Sequence, residues 1–164
     1  MTEDLRSVAT AVLEACRAHG LKIATAESCT GGLVAGALTE IAGSSDVLDR
    51  GFVTYSNTAK QQMLGVPAYI LRDHGAVSRE TAEAMARGAL GKCGADVVVA
   101  ITGIAGPSGG SADKPVGLVH FAAASRNGAL THAEMRYGDI GRSVVREKSV
   151  LQALAMLKQI ADNP

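Results

Sequence analysis

Residues 95–103, Ala-Asp-Val-Val-Val-Ala-Ile-Thr-Gly, form an almost unbroken apolar run in which polar and apolar side chains do not alternate. Neighbouring side chains of a strand point to opposite faces of its sheet, so a strand that is apolar at every position has to be covered on both sides. The rest of the chain supplies the cover. Leu5, Val8, Ala9, Val12, Leu13 and Cys16 recur at helical spacing, with Gly20 where a left-handed cap would fall. Leu33, Val34, Ala37, Leu38 and Ile41 repeat the pattern up to Gly43, and Ser78 stands as N-cap to a helix through Leu90 that turns Ala82, Met85, Ala86 and Ala89 inward. Residues 140–161 are again helical in pattern.

Strand-like stretches lie between these helices. Residues 21–26 read as a short strand, and residues 47–56 are β-rich. Asn57 is placed to cap a short helix ending at Gly65, and Pro67 suits the first turn of another. Residues 116–125 and 129–137 flank Asn127-Gly128, a pair suited to a two-residue type I′ hairpin turn. The expected fold is a single α/β domain over residues 1–164, a three-layer sandwich whose mixed sheet includes an antiparallel hairpin and carries helices on both faces.

Sixteen basic side chains balance sixteen acidic ones, so no net field draws the chain to nucleic acid or an anionic membrane. A charged ligand needs a local site. The three cysteines, Cys16, Cys29 and Cys93, have neither CxxC nor Cys/His ligand spacing, which favours a reducing cytoplasmic setting. No apolar run is long enough for a bilayer and no targeting segment stands out.

The densest cluster of chemistry is Thr25-Ala-Glu-Ser-Cys-Thr-Gly-Gly32, set between a strand and a helix. Backbone N–H groups at such a junction bind anions or stabilise an oxyanion. Ser28 and Cys29 are both candidate nucleophiles, and Ser28 or Thr30 equally suits a plain N-cap. A catalytic serine needs a base. The four histidines, His19, His74, His120 and His132, are widely spaced and lie in no recognisable motif, which leaves Lys60 in Tyr55-Ser-Asn-Thr-Ala-Lys60. An unperturbed lysine, with a pKa of about 10.4, is neutral in only about one molecule in 2,500 at pH 7. Burial or a neighbouring cation would have to lower that value by roughly three units. Ser56, one helical turn before Lys60, is a rival nucleophile; a solvated surface lysine is the simpler reading of Lys60.

Residues 103–115 form a long Gly/Pro/Ser loop between two strands, rich in backbone donors that could approach a phosphate. It fits neither the dinucleotide fingerprint nor a P-loop. No ligand set for a metal is evident, and no cofactor is expected.

Residues 25–45, 51–66, 75–89 and 95–122, in unbroken order, closely resemble the CinA C-terminal-domain family, the nicotinamide-nucleotide amidases also called competence/damage-inducible proteins. The likeness runs from about residue 5 to residue 160 and is to the form without an additional N-terminal domain. The resemblance implies hydrolysis of the carboxamide of nicotinamide mononucleotide to nicotinate mononucleotide and ammonia, without metal or cofactor. It makes Ser28 the nucleophile, with Lys60 and Tyr55 as its activating partners. Cys29, Thr30, Gly31 and Gly32 then border the substrate, with the N–H groups near Thr30 and Gly31 on the oxyanion; Thr102 and Gly103 fall in the ligand site, and Arg142 on the phosphate side. Many relatives read Gly-Asp-Arg where this chain reads Gly138-Asp139-Ile140, so Arg142 stands two positions later. The family also implies a homo-oligomer, a dimer or higher. A non-catalytic nucleotide-binding or regulatory module is the competing function, since the same glycines could simply hold phosphate.

Overall fold

The structure, a computed structural model, describes residues 1–164. The chain forms helix α1 (Glu3–His19), strand β1 (Ile23–Glu27), α2 (Leu33–Thr39), β2 (Leu48–Val53), α3 (Asn57–Leu64), α4 (Ala68–His74), α5 (Arg79–Lys92), β3 (Val97–Gly103), β4 (Leu118–Ser125), β5 (Leu130–Arg136) and α6 (Arg142–Asp162). One five-stranded sheet has the order β2-β1-β3-β4-β5. β1 pairs parallel with β2 and β3, and the remaining two pairings are antiparallel.

The apolar run at 97–101 is the central strand. Val97, Val99 and Ile101 enter one core with residues of α1, α2 and α6, while Val98 and Ala100 enter the other with residues of α4 and α5. The two faces differ in depth. The first takes Ile23, Val119 and Phe121 from neighbouring strands, whereas the second takes Ala24, Ala26, Ala122 and Ala124. Small side chains on that second face let α5 lie close to the sheet. α5 in turn receives α3: a Cβ on Gly88 would fall 1.9 Å from the carbonyl oxygen of Leu64, so only glycine permits the crossing that seats α3. No helix is long and apolar enough to cross a membrane.

Three local expectations change. The hairpin turn is not type I′, because no non-glycine residue has positive φ. Gly128, at φ +99°, takes the left-handed position alone; its N–H donates to Ser125 O, and Ser125 N–H donates to Ala129 O. That is the longer hairpin turn closed by a glycine bulge. The N-cap of α3 is Ser56, whose Oγ accepts from Ala59 N–H at 3.0 Å, and Asn57 is the first helical residue. Ser56 is thereby spent on the helix and drops out as a nucleophile. Neither Ser28 nor Thr30 caps α2, whose N-cap is Gly32 with no side-chain bond of its own.

The topology also locates a crevice. The β1-to-β2 connection runs through α2 on one face, the β2-to-β3 connection runs through α3, α4 and α5 on the other, and β3 returns on the far side of β1. Where successive connections of a parallel sheet diverge like this, a crevice opens outside the carboxyl ends of the two strands. Ser28 follows β1, and Thr102 and Gly103 end β3.

Candidate active site

Glu27 and Ser28 are neighbours at the end of β1 and therefore aim at opposite faces. The strand ladder continues one residue past the strands proper: Ser28 N–H donates to Ile101 O at 2.9 Å, and Thr54 N–H donates to Glu27 O at 2.8 Å. Ser28 is thus held rigidly by both neighbouring strands before the chain turns.

Glu27 points to the α2 side, where only 1 % of it is exposed. Its carboxylate accepts from the N–H groups of Gly32, Val34 and Ala35 at 3.2, 2.9 and 3.1 Å, and from the hydroxyls of Thr30 and Thr25 at 2.7 and 3.1 Å. The start of α2 is therefore already occupied by an internal anion, and it is not the anion site that the sequence suggested. Gly31 and Gly32, at φ +56° and +98°, let the chain fold back over the carboxylate. Replacing Glu27 by glutamine keeps the shape but brings an amide NH2 against those N–H groups. The expected loss is about 2 kcal/mol of stability or more, measured from urea unfolding curves.

Ser28 points to the α3 side and meets Lys60. Lys60 Nζ lies 3.0 Å from Ser28 Oγ, 2.9 Å from Thr54 O and 3.4 Å from Tyr55 O. Lys60 is only 1 % exposed, and none of the ion pairs in the structure includes it. Burial without a counter-ion disfavours the ammonium, so desolvation holds its pKa below the usual lysine value. Three oxygens surround Nζ; a neutral amine there gives two N–H groups to the carbonyls of Thr54 and Tyr55 and keeps its lone pair for the Ser28 hydroxyl, whereas an ammonium donates to all three.

Ser28, Cys29, Tyr55, Lys60, Thr102, Gly103 and Arg142 all border one cleft of about 320 Å3. None of the four histidines does. Thr102 Oγ1 donates to Ala76 O at 2.7 Å, which fixes a wall of the cleft. Tyr55 is placed differently from its expected role: its phenol makes no bond to Ser28 or Lys60 and instead accepts from an Nη of Arg142 at 2.9 Å. Tyr55 touches Lys60 only through its carbonyl. Arg142 also donates to Gly106 O at 2.8 Å, bridging the two sides of the cleft mouth. The N–H groups of Ala105, Gly106, Ser108 and Gly109, all in residues that line the cleft, have no partner within the protein.

Thr30, Gly31 and Gly32 stand behind the cleft wall rather than on it. The Gly31 N–H donates to Ser28 O at 3.0 Å, which removes it from the expected oxyanion pair. The N–H groups of Cys29 and Thr30 are the ones left without an internal partner, although Thr30 is fully buried and Cys29 is 5 % exposed. Buried backbone donors are nearly always paired, so the unpaired Cys29 N–H, on a residue that lines the cleft, marks a place where a ligand is accommodated, whereas Thr30 offers a ligand no surface. The Cys29 thiol packs into the α1/α2/α6 core, and burial pushes its pKa up to about 12. Two contributors escaped the sequence reading. Glu27 was left without a role, although an acid three residues before a threonine and five before a glycine can serve a helix start from within a strand. Arg146, one helical turn after Arg142, was passed over; its Nε donates to Cys29 O at 3.1 Å and an Nη donates to Thr30 O at 3.3 Å, which holds the turn after Ser28 against α6.

The same fold recurs in known proteins. The crystal structure of competence/damage inducible protein CihA from Agrobacterium tumefaciens superposes with a TM-score of 0.96 at 58 % identity, over 100 % of this chain and 98 % of that one. The nicotinamide-nucleotide amidohydrolase PncC of Escherichia coli (strain K12) is 50 % identical over 157 residues, 95 % of this chain and 94 % of that protein. A CinA-like protein of Synechococcus sp. (strain RCC307) is 52 % identical over 156 residues, 94 % of this chain, yet this chain spans only 37 % of its length. A family model described as the CinA C-terminal domain matches residues 5–161, so nearly the whole chain, cleft included, belongs to the CinA C-terminal domain family.

Proposed function

We propose that the protein is a nicotinamide-nucleotide amidohydrolase that uses Ser28 as nucleophile and Lys60 as base. The observation that carries this reading is the 3.0 Å contact between Ser28 Oγ and a buried lysine with no carboxylate partner, at the floor of a cleft with Arg142 at its mouth. Matches at 46 % and 50 % identity to two proteins named for this activity, covering 91 % and 94 % of their lengths, support the substrate class.

Neutral Lys60 takes the Ser28 hydroxyl proton as Oγ attacks the carboxamide carbon. The N–H of Cys29, a residue that lines the cleft, receives the resulting oxyanion; such a donor is worth about a hundredfold to a thousandfold in rate. Protonated Lys60 then passes its proton to the departing nitrogen, and ammonia leaves. Water attacks the acyl-serine with Lys60 again accepting a proton, releasing the nicotinate product and restoring Ser28. The free N–H groups of the 105–109 loop and Arg142 serve the phosphate, the loop as a concave set of donors and Arg142 as a charged one.

Incubation with nicotinamide mononucleotide should release ammonia and nicotinate mononucleotide in equal amounts. No release between pH 6 and pH 10 would favour a module that only holds the nucleotide. Arg142 makes no contact with Ser28 or Lys60, so Arg142→Ala is expected to raise KM about tenfold to a hundredfold and leave kcat within a few fold. Steady-state kinetics with the mononucleotide and with the phosphate-free nucleoside check this, because the nucleoside should be indifferent to the change.

A further inference from the structure

Tyr55 lines the cleft, yet its phenol takes no part in the Ser28–Lys60 pair. Its backbone is fixed from both sides: the Thr54 N–H before it donates to Glu27 O at 2.8 Å, and Ser56 Oγ after it caps α3 by accepting from Ala59 N–H at 3.0 Å. A side chain with two rotatable bonds on so firm a base is a rigid post. Tyr55 is 60 % exposed and Lys60 only 1 %, so the phenol stands at the mouth of the cleft and the amine at its floor.

What the phenol touches is Arg142. One Nη of that guanidinium donates to Tyr55 Oη at 2.9 Å and the other donates to Gly106 O at 2.8 Å. Both acceptors are neutral, no carboxylate pairs with Arg142, and no acid lines the cleft. A carboxylate in either place would hold the guanidinium more tightly, but it would also cancel the charge a phosphate needs and compete for the same N–H groups. Neutral acceptors order the long side chain before the ligand arrives and leave its charge intact. The phenol has a second capacity, because an oxygen that accepts from Arg142 still carries its own hydrogen and can donate it.

We propose that Tyr55 is a specificity-determining residue for the phosphate: its phenol holds Arg142 ready at the cleft mouth and gives its own hydrogen to a phosphate oxygen; this rests on the reading of the cleft as a nucleotide amidase. Arg142 spans from Tyr55 to Gly106, and Gly106 belongs to the 105–109 loop whose free N–H groups line the cleft, so cation, hydroxyl and backbone donors meet at one end of it. That set suits a phosphomonoester, which offers several charged acceptor oxygens at once. The assignment replaces the activating role that the resemblance gave Tyr55. Proton transfer is left to Ser28 and Lys60.

The test compares wild type, Tyr55→Phe, Arg142→Ala and the double variant on nicotinamide mononucleotide and on its phosphate-free nucleoside. Tyr55→Phe is expected to raise KM for the mononucleotide about tenfold with kcat within about twofold, and to lower the preference for mononucleotide over nucleoside, as a ratio of kcat/KM, by the same factor. In the Arg142→Ala background the same change should cost less than in wild type, because the post then has no guanidinium to hold. A loss of kcat of about a hundredfold or more on both substrates would make the phenol a partner in proton transfer and overturn the proposal. So would an unchanged preference ratio in a variant that melts cooperatively. Calorimetric titration with nicotinate mononucleotide, which has no carboxamide to hydrolyse, answers independently of turnover, and its Kd should rise about tenfold in Tyr55→Phe. Equal Kd values for wild type and Tyr55→Phe refute the phosphate role even if wild type hydrolyses nothing. Wild type that binds this ligand, and binds it more tightly than Tyr55→Phe, but releases no ammonia from nicotinamide mononucleotide refutes the amidase reading alone.

Discussion

Ser28→Ala is expected to lower turnover of nicotinamide mononucleotide about ten-thousandfold or more, the scale on which loss of a serine nucleophile is felt. Cys29→Ala should retain most of the activity. The two residues are adjacent and both border the cleft, so the contrast comes from their surroundings. Ser28 Oγ has Lys60 at 3.0 Å. The Cys29 thiol sits in the α1/α2/α6 core with its pKa pushed up to about 12, so at pH 7 only about one molecule in 100,000 carries the thiolate. A helix start would ordinarily lower a thiol pKa, but here Glu27 already occupies the N–H groups of α2. What Cys29 contributes is its backbone N–H, which alanine keeps. Ammonia release by the two variants, with iodoacetamide treatment of wild type as a second probe, decides the matter. A dead Cys29→Ala beside an active Ser28→Ala would make the protein a thiol amidase.

The layers of the fold were legible because they follow from local periodicity. The valine run at 97–99 demanded cover on both faces, and the helical repeats in α1, α2, α5 and α6 supplied it. Details that depend on one hydrogen bond were not legible. Asn57 and Ser56 are both good caps, and which one serves is decided by how the chain leaves β2. Asn-Gly permits a type I′ turn but equally a longer one, and the carbonyl of Ala129 settles the choice. At the site, spacing alone could not separate a solvated Lys60 from a buried one. The decision lies in α5, where Gly88 lets α3 settle against the layer that buries the lysine. Glu27 escaped notice for a related reason. Sequence patterns associate helix capping with the residue just before the helix, whereas this carboxylate reaches α2 from the end of a strand.

Lys60→Met is expected to abolish detectable turnover, a loss of about a thousandfold or more, and Lys60→Arg should be no better because a guanidinium stays charged and cannot accept the serine proton. In wild type, kcat/KM should rise with pH along a titration centred below the ordinary lysine value of 10.5, because burial lowers the Lys60 pKa and only the neutral amine is competent. The same shift affects stability with a definite sign. Above its folded pKa Lys60 is neutral in the native protein but still protonated in the unfolded chain, so the unfolded state binds more protons and stability grows with pH up to about 10.5. Below the folded pKa both states carry the charge, and the native protein bears the full cost of burying it. Urea unfolding of wild type and Lys60→Met across that range should therefore give curves of different slope, with wild type gaining stability relative to the variant as pH rises. Parallel curves, together with a flat kcat/KM profile over the same range, would mean that Lys60 keeps its proton throughout. The 3.0 Å contact would then be an ammonium donating to Ser28 Oγ, and the base would have to be sought elsewhere in the cleft. A depressed lysine is thus visible twice, in catalysis and in folding, and the second reading does not depend on knowing the substrate.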